Sequence, residues 1–164
     1  MNMTKINFII TFLLTTCLQT FGQHLGLTFH NAEKQGISIK HLDSLYKSAV
    51  HADTSLAVFK TEKEQDALQQ AYVKLLQDFG KFLSENNFTR EKPTRCFNRI
   101  YFNSDGTIDY FLFNFLGKTV DKPAEIVEKE FQRLLNVFIS DYKFSLTAKI
   151  KFAQCSPTTY LTKK

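Results

Sequence analysis

Residues 97–115 constrain this chain more than any other stretch. Two runs with alternating side-chain character, 97–103 and 107–115, are joined by Asn103-Ser104-Asp105-Gly106. A period of two marks strands with two different faces. The tetrapeptide suits a type I turn at Ser104 and Asp105 with Gly106 in the left-handed region, a common three-residue hairpin loop. That register opposes Asn103 to Thr107 and Phe102 to Ile108. Strict alternation then puts Ile100, Phe102, Ile108, Tyr110 and Leu112 on one face. Phe97, Arg99, Tyr101, Asp109, Phe111, Phe113 and Phe115 fall on the other.

Around this hairpin the apolar period is helical. Thr61 followed by Glu64 forms a capping box, and Leu68, Tyr72, Leu75, Leu76, Phe79, Phe82 and Leu83 make one stripe of a helix over 61–86. A shorter helix is expected from Ser38 to about Ala52, after a lead-in at 24–38. A third is expected to start near Pro123, with Asp121 as a possible cap, and carries Val127, Phe131, Leu134, Leu135 and Phe138. The last strand is expected over 147–153, with Lys149 and Lys151 on its outward side. The fold class is therefore α+β, with helices at 24–87 and a β-β-α-β unit at 88–164 in one domain.

Residues 1–23 carry one cation, Lys5, then an apolar run and a small residue near the end, the pattern of a secretory signal peptide. The Phe21-Gly22-Gln23 ending resembles processing regions of exported Bacteroidetes proteins. The mature chain is thus expected to be periplasmic or secreted, with no membrane span. In an oxidising compartment Cys96 and Cys155 read first as one disulfide, with two separate thiols as the alternative. A bond between them would select the strand order second, first, third in a three-stranded antiparallel sheet, because strands two apart lie roughly 10 Å away, beyond disulfide reach. One point of parity does not fit the bond: Cys96 shares a side with inward Ile100, Cys155 with outward Lys151, and a bulge or a frayed strand end is needed to reconcile them.

The hairpin with Asp105-Gly106-Thr107-Ile108, the helix with Glu130-Phe131-Gln132-Arg133-Leu134-Leu135 and the closing strand Ala148-Lys149-Ile150-Lys151-Phe152 resemble the C-terminal domain of the TonB family. The resemblance covers about half of the chain. It implies a hairpin-helix-strand fold and an edge strand able to accept a peptide. It does not extend to a Pro-rich spacer, and the chain has no Trp.

Chemistry is sparse. No Gly-rich phosphate loop, nucleophile elbow or His-Glu-x-x-His motif occurs, and His24, His30, His41 and His51 lack metal-site spacing. No enzyme, cofactor or metal is expected. The net charge of +5 is too small and dispersed to call for nucleic acid. Arg90, Lys92, Arg95 and Arg99 cluster near the first strand, a solvated surface or a site for an acidic partner. Phe111, Phe113 and Phe115 share one side, either covered by the long helix or exposed to a partner or second copy. The expected function is a non-catalytic binding or structural module. It would engage a protein or envelope component through this aromatic face or the edge bearing Lys149 and Lys151, a homodimer being possible. A carrier of a small apolar ligand between the long helix and the sheet is the alternative.

Overall fold

The structure, a computed structural model, describes residues 24–88, 93–117 and 123–160. The expected export segment, Arg90, Lys92 and the possible cap Asp121 lie outside them. The elements are β1 (Leu25–Thr28), α1 (Phe29–Lys34), α2 (Ile39–Leu45), β2 (Lys47–Ser48), a 3-10 turn at Thr54–Leu56, α3 (Glu62–Glu85), β3 (Thr94–Phe102), β4 (Ile108–Phe115), α4 (Glu125–Asp141) and β5 (Phe152–Tyr160).

The chain is α+β, but the sheet is larger than expected and mixed. Five strands run in the order β1-β4-β3-β5-β2. β3 is antiparallel to β4 and β5, while β1 pairs parallel with β4 and β2 parallel with β5. The expected three-stranded antiparallel sheet does not match this one: its second, first and third strands, β4, β3 and β5, lie side by side and antiparallel in that order, but only as the centre of a mixed sheet that β1 and β2 extend at both edges. The physical cause of the difference lies in the first part of the chain. The expected helix over 38–52 stops at Leu45, and the next residues turn extended to pair with β5, where Ala49 N–H donates to the Ala153 carbonyl at 2.8 Å. The expected lead-in contains β1 and α1, the latter capped by the Thr28 hydroxyl.

The hairpin forms around the expected turn. Asn103 N–H donates to the Thr107 carbonyl at 2.8 Å, and Gly106 takes φ +89°. Past the first pair, however, the faces differ from strict alternation. Phe102 opposes Ile108 and Tyr101 opposes Tyr110, so Asp109 is an extra residue, a β-bulge. After it, Phe111, Phe113 and Phe115 point to the same side as Ile100 and Phe102, while Tyr110 and Leu112 join Tyr101 on the opposite side.

The two faces carry different covers. α3 and α4 pack on the first, where Leu75, Phe79, Leu83, Phe131, Leu134, Leu135 and Phe138 meet the three phenylalanines. The expected capping box of α3 is present, Glu64 N–H donating to Thr61 Oγ1 and Thr61 N–H to Glu64 Oε2. α1 and α2 cover part of the second face, around Leu27, Leu42, Tyr46, Tyr101 and Leu112. The result is three layers, helices on both sides of the sheet.

The closing strand is also displaced. Residues 144–148 are tied to the hairpin turn, Phe144 N–H donating to the Gly106 carbonyl at 2.8 Å and Ala148 N–H to the Ser104 carbonyl at 3.1 Å. β5 can start only after them, at Phe152, rather than at 147. Cys96 then opposes Thr158 and Cys155 opposes Arg99. The cysteines are three positions out of register, roughly 10 Å along the strand, and on opposite faces, Cys96 buried and Cys155 exposed. The expected disulfide is therefore not formed: they do not bond to each other.

Candidate functional site: an open strand edge and its flanking cavity

The expected site residues separate. Phe111 and Phe113 are 0% exposed and Phe115 1%, so they build the core beneath α3 and α4 and present no surface. Lys149 is exposed in the bends before β5. Lys151 also precedes β5, and its Nζ lies 2.9 Å from Asp109 Oδ2 and 5.3 Å from the Tyr46 ring centre. His24 Nδ1 donates to the Ile108 carbonyl at 2.7 Å, a tie between β1 and β4. Among the described residues no cluster of His, Cys, Asp and Glu has the makings of a metal site. Nor is any helix there long and apolar enough to cross a membrane.

What the sheet does offer is two unlike edges. On the β1 side, Gly26 N–H donates to Asn136 Oδ1 at 2.8 Å and Asn136 Nδ2 donates back to the Gly26 carbonyl at 2.9 Å. The amide of α4 thus stands in for a neighbouring strand, which is how a protein closes an edge against foreign pairing. The close approach needs a glycine: a Cβ at residue 26 would lie 2.7 Å from Leu135 Cγ. Gly26→Ala is accordingly expected to cost about 1–3 kcal/mol through overpacking, read as a lower urea midpoint with an unchanged slope.

On the other side, β2 covers only the start of β5. Lys47 N–H donates to the Lys151 carbonyl and Ala49 N–H to the Ala153 carbonyl, so these odd-numbered residues face outward. Main-chain groups alternate sides along a strand, and the β3–β5 register runs unbroken. Cys155, Pro157 and Thr159 therefore also face outward, with no strand beside them among the described residues. Proline suits this place because its missing N–H falls on the unpaired side.

Beside the open edge lies a cavity of about 240 Å³ lined by Asp43, Tyr46, Val50, Arg99, Ala153 and Cys155, among others. Arg99 Nη2 meets Asp43 Oδ1 at 2.5 Å, and the Tyr101 hydroxyl donates to the same oxygen at 3.0 Å. Burial works against the Arg99 charge, but Tyr101 and Asp43 outweigh it and hold the guanidinium above its ordinary value. Arg99 Nε is sealed from solvent and has no acceptor among the described residues. Burial, then the hydrogen bond to Asp109, raises Tyr46 far above the ordinary phenol range.

Of this group, only Arg99 and Cys155 stand out in the sequence. Asp43 lies in α2 and Tyr46 just past its end, some 50 residues before β3, and Asn136 is a polar position beside an apolar stripe. No local pattern singles them out. Comparison with protein-family models, with curated proteins and with solved structures finds no match for the chain.

Proposed function

We propose that this chain is an exported, non-catalytic binding module that engages a protein or cell-envelope component through the outer edge of β5. The observation that carries this reading is the contrast between the two edges. One is closed by Asn136, while the other leaves the main-chain groups of Cys155 and Thr159 facing outward, with a cavity beside Cys155. An unpaired edge is where an extended segment gains main-chain hydrogen bonds by strand addition. The resemblance to the TonB C-terminal domain points the same way. The carrier reading has less support, because Phe79 lies in ring contact with Phe111, Phe131, Phe138 and Tyr160 in the layer such a ligand would need.

Thr159→Pro tests the proposal. Its missing N–H falls on the outward side, as at Pro157, so the fold tolerates it. A partner from a native envelope extract that is retained by the wild type and lost by a folded Thr159→Pro variant supports edge binding. Retention of the same partners by both proteins would overturn it.

A further inference from the structure

Resting on that reading, we infer that the β5 edge takes an extended partner segment with the pattern acidic, any, apolar, any, acidic. The pattern comes from cross-strand rows. Neighbours directly opposite in a sheet project to the same face. A residue placed opposite Cys155 begins a row that continues through Cys155 to Arg99. A residue opposite Thr159, four positions along, begins a row that ends at Arg95. Between them, a residue opposite Pro157 faces the row of Pro157 and Phe97.

The chemistry of the rows differs accordingly. At one end the Arg99 Nε–H lacks an acceptor among the described residues, and the Asp43 carboxylate already accepts from Arg99 and Tyr101. A carboxylate reaching over Cys155 would enter the cavity that Arg99 and Asp43 line, and the guanidinium would have to turn toward it to give up that sealed Nε–H. At the other end Arg95 is exposed. The middle row is apolar, with half-buried Phe97 in ring contact with Phe29 at 5.9 Å and exposed Pro157 beside it. Exposed Arg95 and Arg99, whose charge is shared with Asp43, flank an apolar step at a spacing of four residues, and a strand matching them carries acids at positions 1 and 5. Pro157 leaves a gap in the row of donors, which hinders continuous pairing between copies and favours a short segment over a second β5.

The test uses the full chain, labelled with nitrogen-15, and two acetylated, amidated heptapeptides, Thr-Glu-Thr-Val-Thr-Glu-Thr and the same peptide with both Glu replaced by Gln. The acidic peptide is expected to shift the amide signals of Cys155 and Thr159 and to bind about tenfold tighter than the Gln peptide, since hydrogen bonds to charged groups exceed neutral ones by about that factor. The preference is expected to shrink in high salt. Arg95→Gln, at an exposed position, should remove part of it, and Arg99→Gln the rest, with Arg99→Lys restoring charge but not the Nε–H. Equal binding of the two peptides, abolished by Thr159→Pro, would overturn the acidic pattern and leave edge binding standing. No shift along β5 with either peptide, or shifts explained by self-association alone, would also overturn the inference, while the extract comparison judges the edge by itself.

Discussion

Replacing Phe79 with alanine is expected to destabilise the protein by about 3–5 kcal/mol, the range for emptying a buried aromatic site. Phe79 is fully buried in the C-terminal half of α3, with ring centres 5.3 Å from Phe131, 5.0 Å from Phe138, 5.8 Å from Tyr160 and 6.0 Å from Phe111. These neighbours belong to α4, β4 and β5, so collapse into the space would have to move three elements at once. Each lost ring pair also removes an edge-to-face or tilted contact, which adds to the transfer cost. Domains of this size hold about 5–15 kcal/mol in total, so the variant should lose a large part of its stability. A melting temperature lowered by about 6–20 °C is the readout. Val73→Ala on the solvent side of the same helix, at 39% exposure, should change stability by about 0.5 kcal/mol or less. If the two variants melted alike, the packing described for α3 against β4 would be wrong.

How much of this was legible in the sequence follows the range of each interaction. The turn at Ser104 and Asp105, the capping box of Thr61 and Glu64, and the stripes of α3 and α4 depend on neighbours within a few residues, and reading the chain locally finds them. The faces of β4 do not. Counting from Ile108 in strict alternation sends Tyr110 and Leu112 with it. The extra residue Asp109 restarts the count and puts Phe111, Phe113 and Phe115 with Ile100 and Phe102. No local signal announces that bulge, because Asp109 earns its position through Tyr46 and Lys151, 63 and 42 residues away.

The missed strands have a similar explanation. β1 has four residues, one of them Gly26, and β2 has two. Neither is long enough to show a period, and both exist because a longer strand is there to pair with. The cysteines gave a warning that their parity already contained. Residues on opposite faces of a sheet cannot share a bond without a bulge, and the register of β3 and β5 has none. The cavity beside β5 depends on Asp43 reaching Arg99 across 56 residues, so the ion pair has no spacing by which to recognise it.

The bulge makes a second large effect predictable. Asp109→Ala is expected to cost about 2–4 kcal/mol, because it strands groups that the fold has already withdrawn from water. Tyr46 is 5% exposed and donates its hydroxyl hydrogen to Asp109 Oδ2 at 2.6 Å. Its hydroxyl would be left without that acceptor. Lys151, whose side chain is 45% exposed, loses its counter-ion but can regain water, so it contributes the smaller share. The order of these losses is testable by adding compensating changes. Tyr46→Phe in the Asp109→Ala background removes the stranded hydroxyl and should recover part of the loss, whereas Lys151→Met in that background should recover less. Denaturant titration of the single and double variants gives the coupling energies directly. If Asp109→Ala were as stable as the wild type, the bulge would not be held by these side chains, and the placement of Phe111, Phe113 and Phe115 under α3 would need another cause.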